Sequence, residues 1–427
     1  MIALVVTVIL LILILLRLPV PFAILGSALV GMLLLGGPSA VVSVFQTIPL
    51  SAAGGFSLSA VPLFILMAHL ILASGALDSL FASARVLVGR LHGGTGIAAV
   101  LAGSGFASVS GSSTASAATL AYTSTSAMLK QGYSERLATG AIASAGTLAA
   151  VIPPSVLLIF YAVTAETNVA QTLMAGLVPG VLMAIALMAT VYILARRGHA
   201  PAGEATSWGE KLRSFGGLVP ILVIFLLVVG TVFLGVMTPT ESAALGCVGG
   251  FVLMVVYRKV SWEALRKAVG GSLTSSAMIL SIVVAADVFG HVLAETRVTE
   301  AIIATVGALP VAPVLILLGI VLVYLVLGFF MDQMAIIALT VPVTLPLVTE
   351  LGYDPIWFGV VVILAAEIGL ITPPLGLNAF VTARVSRVRL ETVFLGSVPF
   401  IVAMLVVVAL VFAFPAVALL LPEFMSG

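Results

Sequence analysis

Charge is what this sequence has least of. Only 8% of its 427 residues are Asp, Glu, Lys or Arg, against 62% that are hydrophobic, and the formal net charge is +1. So few charges cannot coat a water-soluble protein of this size, and the near-zero balance offers no basic stripe to nucleic acid or another polyanion. A mean hydropathy of +1.33 assigns the chain to a bilayer. Cysteine occurs once, as Cys247 in an apolar run, which excludes an internal disulfide and reads as a small packed residue. The four histidines have no paired spacing, and GxxxxGK[ST], HExxH, CxxC and a nucleophile elbow are all missing. The chain therefore lacks the usual apparatus for binding ATP. A membrane-embedded enzyme, which needs a convergent acid/base or metal set, has little here to build on. The opening stretch MIALVVTVILLILILL also lacks a basic n-region and a small-residue cleavage site, so it reads as a retained helix and not a signal peptide.

What the chain does have is apolar runs of spanning length, roughly 1–16, 18–37, 61–80, 133–163, 169–195, 216–236, 241–257, 272–294, 353–383 and 392–421. Two further apolar stretches, 93–130 and 310–349, are interrupted at their centres by small or polar residues. Backbone breaks at membrane depth are tolerated only where protein or a wet cavity satisfies them, so these two read as re-entrant hairpins. With hairpins returning to their own side, sixteen of the seventeen basic residues fall on one face and only Arg297 on the other. By the positive-inside rule both termini are then outside, which the resemblance given below would make periplasmic, and the polar connection 196–215 is cytoplasmic. Short amphipathic stretches at 81–94 and 260–271 read as interfacial.

The chain also repeats itself. Ile152-Pro153-Pro154 and Thr372-Pro373-Pro374 lie 220 residues apart, and the same offset maps Gly132-Tyr133 onto Gly352-Tyr353, Phe160 onto Phe380 and Pro19 onto Pro239. The expected fold is an all-α polytopic membrane protein with an inverted-topology repeat. The first half is 1–195, with hairpin 93–130 and Pro-broken helix 133–163. After the linker 196–215, the second half is 216–421, with hairpin 310–349 and Pro-broken helix 353–383. Broken hydrophobic segments at matching places in two halves point to a transporter's binding site.

The first hairpin tip, GSGFASVSGSSTASAAT at 103–119, contains eleven Gly, Ser or Thr residues in seventeen. Ser110, Gly111, Ser112, Ser113, Thr114 and Ser116 can offer carbonyls and hydroxyls to a hard cation, and helix-start N–H groups to an anion. Small-residue helix packing is the rival reading. The equivalent second tip, GFFMDQMA at 328–335, carries Asp332, aligned with Ser112, and Gln333. A carboxylate at membrane depth is expensive, and it is either functional or held in a structural ion pair. The double prolines free carbonyls of the preceding turn, which can ligate Na⁺ while the following half-helix aims its positive end at an anion. Other polar groups leave two readings open. Asp287 and His291, four apart, form a packed pair or a proton relay, with His69 near the corresponding place in the first half. Glu241 reads as a helix-start cap, and Glu367 either neutralises a cation or anchors its hairpin.

GSGFASVSGSSTASAAT, IPPSVLLIFYA, MTPTESAALG, GFFMDQMAIIALTVP and EIGLITPPLGLNAFV together resemble the signature segments of the large, DctM-type membrane subunit of tripartite ATP-independent periplasmic (TRAP) transporters. The resemblance covers essentially the whole chain. It implies a Na⁺-coupled, elevator-type importer of organic anions in a bacterial inner membrane. It also implies two partners, a small four-helix membrane subunit and a soluble periplasmic substrate-binding protein. Carried over, Na⁺ ligands would cluster at Ser110, Gly111 and Ser112 with Ile152 and Pro153, and at Asp332 and Gln333 with Thr372, Pro373 and Gly376. Substrate contacts would come from Ser112, Ser113, Thr114, Ser116, Ser155 and Asn378. One departure stands out: where many relatives read GSSVADAA, with an acid, this chain has Ser116. The chain opens directly on its first large-subunit helix, so a separate small subunit is expected. A lone Na⁺/dicarboxylate symporter would share hairpins and breaks, and only the need for a binding protein separates the two. The resemblance implies organic acids as a class (sialic acid, C4-dicarboxylates, keto acids or sugar acids), and no fixed cation that would single out one of them by pairing its carboxylate is evident in the core.

Overall fold

The computed structural model describes residues 2–16, 18–201, 207–307 and 310–426. Its first half contains α1 (Ile2–Leu15), α2 (Val20–Gly54), α3 (Ala60–Ser74) and α4 (Ala76–Val88). The first hairpin follows, with α5 (Gly94–Ser110) as one arm and α6 (Ser113–Leu120) running through a π-type turn into α7 (Ser126–Lys130) as the other. The broken helix comprises α8 (Glu135–Gly146) and α9 (Val156–Thr164), and α10 (Val169–Ala175) and α11 (Leu177–Leu194) close the half. The second half runs α12 (Trp208–Phe233), α13 (Pro239–Val256), α14 (Trp262–Glu295) and α15 (Val298–Gly307). Its hairpin is α16 (Pro313–Gly328) and α17 (Gln333–Glu350), its broken helix α18 (Pro355–Gly369) and α19 (Leu377–Ser386), and α20 (Leu390–Ala413) and α21 (Ala416–Ser426) end the described chain. The protein is an all-α polytopic membrane protein with two re-entrant hairpins and two Pro-broken helices.

The repeat is visible element by element. α6 and α17 begin at Ser113 and Gln333, α8 and α18 at Glu135 and Pro355, each pair 220 residues apart. Both hairpins hand over to the broken helix through a left-handed glycine, Gly132 (φ 89°) and Gly352 (φ 83°), a conformation open to glycine at no steric cost. Among the described residues, seven helices are long and apolar enough to cross a bilayer.

α8 and α18 form the centre. Every residue of α18 from Ile356 to Gly369 is buried, as is every residue of α8 from Leu137 to Gly146. The small residues of α8 let α20 approach closely: a Cβ added at Gly140 would lie 2.2 Å from the Gly396 carbonyl oxygen. The outer helices α1, α12, α13 and α20 instead expose Leu, Val and Phe, the surface a hydrocarbon solvent accepts.

Four boundaries differ from the sequence reading. α12 starts at Trp208, inside the stretch read as connection, because Ser207 and Glu210 form a reciprocal capping box there. α2 continues to Gly54 after a non-helical Gly37, where the apolar run had ended. α14 absorbs the amphipathic stretch 260–271 into one 34-residue helix. Gly270-Gly271 does not break it because Gly271 packs against the His69 ring, 2.7 Å from an added Cβ, so the glycine serves a helix contact. The last span divides at Phe414 and Pro415 into α20 and α21, since proline cannot continue the ladder. α4 begins inside the run 61–80, covers only part of the amphipathic stretch read at 81–94, and turns 72° from α3.

Candidate binding site at the hairpin tips

Each hairpin turns on a residue that caps its second arm. Ser112 accepts from the Ala115 N–H at 3.4 Å, and Asp332 accepts from the Met334 N–H at 3.0 Å. Asp332, half-buried, is thus an N-cap, and no ion pair to it occurs among the described residues. Gly111 has φ +59°, and a Cβ there would meet Val156 Cγ2 at 2.6 Å, so the first tip lies directly on the start of α9. This places the Gly111 turn beside Val156, which follows the break containing Ile152 and Pro153. The side chain of Ser110 lies outside the described residues. Thr114 and Ser112 hydroxyls are 3.4 Å apart, and Ser116 is fully buried.

The breaks themselves are alike in chain path and unlike in surroundings. Both Pro153-Pro154 and Pro373-Pro374 bonds are cis. In the first, Ser155 donates to the Ala150 carbonyl at 2.6 Å and caps α9 by accepting from Leu158 N–H at 3.2 Å, so its hydroxyl is committed to the break. In the second, Thr372 donates to the Ile368 carbonyl at 2.6 Å, and left-handed Gly376 (φ +49°) opens α19. Residues 151–155 are buried throughout, whereas Pro373, Pro374 and Leu375 are exposed. Asn378, two residues into α19, is fully buried, and neither its Oδ1 nor its Nδ2 has a partner among the described residues. A buried amide left with that capacity is costly unless something bound uses it.

Between the tips lies a knot that the sequence did not disclose. Ser113 Oγ donates to Glu367 Oε1 at 2.6 Å, Gln333 Nε2 donates to the same oxygen, and Gln333 Nε2 is 3.4 Å from Ser113 Oγ. Ser113 and Gln333 are equivalents 220 residues apart, so the pseudo-two-fold relation passes between them. Glu367 is fully buried, and its Oε2 has no partner among the described residues. Glu367 thus joins the two hairpin tips. Ser113 and Gln333 spend donors on it, leaving the Gln333 carbonyl oxygen for other ligands. The cross-repeat contact continues where Tyr161 of α9 donates to the Pro355 carbonyl at 2.5 Å and where Thr125 and Ser386 hydroxyls meet at 2.9 Å.

The remaining polar residues lie elsewhere. Asp287 is exposed on α14 and has no hydrogen bond to His291 among the described residues, and His69 lines a cleft with Glu263 and Lys267. Glu241 caps α13 in a reciprocal box with Thr238, as read. Cys247 is half-buried, donating to the Leu63 carbonyl at 3.1 Å.

Residues 7–417 match the family described as "Tripartite ATP-independent periplasmic transporter, DctM component". The chain belongs to the DctM family. It is 36% identical over 372 residues to the C4-dicarboxylate TRAP transporter large permease protein DctM of Pseudomonas aeruginosa, covering 87% of each chain. It is 31% identical over 411 residues to the sialic acid TRAP transporter large permease protein SiaM of Vibrio cholerae, covering 96% of each. Among solved structures it is similar in fold to the YdaH transporter of Alcanivorax borkumensis, with a TM-score of 0.66 at 17% identity, covering 92% of this chain and 96% of that one. As a DctM-type large permease, the protein is a multi-pass membrane transporter subunit and not an enzyme.

Proposed function

We propose that this DctM-type permease imports an organic acid across a bacterial inner membrane, driven by a Na⁺ gradient, with both termini periplasmic. A small membrane subunit and a periplasmic binding protein complete the system. The observation that carries this reading is the meeting of the two equivalent hairpin tips at one buried carboxylate, with a double-proline break in each repeat. Ser112 and Asp332 cap matching half-helices, a double-proline break follows in each repeat, and Asn378 carries an amide with no partner among the described residues. Hard oxygen ligands of this kind suit Na⁺, and half-helix N-termini suit a carboxylate. The relatives named for C4-dicarboxylate and sialic acid point to the same substrate class. The different exposure of two equivalent breaks is what one state of an alternating-access carrier presents, and it supports an elevator-type displacement of the tip domain against the outer helices.

Reconstitution tests this. With the small subunit and a Na⁺ gradient, proteoliposomes are expected to move negligible organic acid until the binding protein is added, because a carrier site built mainly of neutral dipoles binds weakly. Robust Na⁺-driven uptake without that protein would favour a stand-alone symporter. Uptake driven only by ATP would overturn both.

A further inference from the structure

The knot at the tips has one property that the ion and substrate ligands do not require: it is built from both repeats but carries a single acid. The position equivalent to Glu367 in the first repeat is Thr147, whose hydroxyl turns back to the Ser144 carbonyl at 2.6 Å. One carboxylate, reached by a donor from each tip, makes both tips depend on the same atom. The donors are also well placed to report what happens at the tips. Ser113 directly follows the cap Ser112, and Gln333 directly follows the cap Asp332. A change at either cap therefore moves the donor next to it. Glu367 belongs to α18, two residues before that helix ends and five before Thr372 of the second break.

We propose that Glu367 is a positioning residue that couples the two tips, so that occupation of one half-site by Na⁺ sets the geometry of the other. This rests on the Na⁺-coupled reading above. When an ion draws the first tip into place, Ser113 presents its hydroxyl to Oε1 and fixes the carboxylate. The fixed carboxylate then holds Gln333, and with it the start of α17 and the Asp332 cap. The reverse order works equally, as linkage requires. The energetic cost of burying the acid is offset only when both donors are in place, which makes intermediate arrangements unfavourable. The outcome is steep dependence on Na⁺, beyond what two independent sites would give.

The test uses the complete transporter, with small subunit and binding protein, in proteoliposomes. Uptake is measured against Na⁺ for the unsubstituted protein and for Glu367→Gln, Ser113→Ala, Gln333→Ala and the Ser113→Ala/Gln333→Ala double variant. The unsubstituted protein is expected to show a Hill coefficient of about 2, falling to about 1 in each variant. The double variant should be no shallower than either single, because cutting one arm already severs the link. A merely structural knot would lower the amount of folded protein and the maximal rate while leaving the steepness alone. Should Glu367→Gln fail to insert, the two single-arm variants read the same quantity. Undiminished steepness in the variants overturns the coupling role and leaves Na⁺-driven import standing. Uptake by the unsubstituted protein that ignores Na⁺ overturns both.

Discussion

At the scale of single residues, the two tips separate charge from architecture. Asp332 does two things at once: it places a carboxylate at the second tip and it caps α17 through the Met334 N–H. Asparagine caps a helix about as well as aspartate, while alanine forfeits the cap at a cost of about 1 kcal/mol. Asp332→Asn is therefore expected to keep its thermal stability in detergent but to need several-fold more Na⁺ for half-maximal uptake, on the order of a lost charge–ion contact. Asp332→Ala should show the same Na⁺ defect together with a lower melting temperature. If Asp332→Asn transports with an unchanged Na⁺ requirement, the carboxylate serves only the turn. Asn378 poses a related question from the other side of the site. Its amide is buried without a partner among the described residues, so Asn378→Leu is expected to fold at least as well as the unsubstituted protein, yet to bind substrate poorly. Measuring uptake and melting temperature on the same preparation distinguishes a binding amide from a structural one.

At the scale of elements, the central helices are held by backbone proximity more than by bulky side chains. α8 and α20 cross where Gly140 faces the Gly396 carbonyl, and a Cβ at Gly396 would come 2.0 Å from the Arg136 carbonyl oxygen. These neighbours are backbone and cannot swing aside, so Gly396→Ala must push the helices apart at a cost of about 1–3 kcal/mol. Gly230 of α12 is the matched control, because nothing lies within 4 Å of an added Cβ there. Gly230→Ala should leave the melting temperature unchanged or raise it, since alanine narrows the unfolded ensemble. Equal behaviour of the two variants in a detergent melt would contradict the close crossing. The lone ion pair among the described residues, Glu263–Lys267, is more than three-quarters exposed at both ends and contributes little by comparison.

At the scale of the whole molecule, the fall of the basic residues predicts an orientation that labelling can test. Single cysteines in a Cys247→Ala background locate the faces: Ser207→Cys is expected to react only from the cytoplasm, and Asn168→Cys only from the periplasm. Labelling of both from one side would show that a hairpin is a full span. The native thiol is removed first because it is half-buried beside α3 and would blur a slow signal.

How much of this was legible in the chain depends on whether the cause is local. Scarcity of charge, apolar runs, paired prolines and a 220-residue offset are written along the sequence, so the membrane setting, the all-α fold, the two hairpins and the two broken helices could be read from it. Those features follow from the rule that a backbone in hydrocarbon must satisfy itself. Helix ends were less legible where a capping box or a glycine contact overrode composition, as at Ser207 and Gly271. The knot was not legible at all. Nothing near Glu367 in sequence announces that its partner is Ser113, 254 residues earlier, or that one acid serves both repeats. Nor does composition say that one double-proline break is buried and the other exposed, for the two strings are nearly the same. Local chemistry determined what the tips are made of. Only the packing of one repeat against the other decided which atoms meet, because burial and hydrogen-bond partners belong to the space between helices and not to either helix alone.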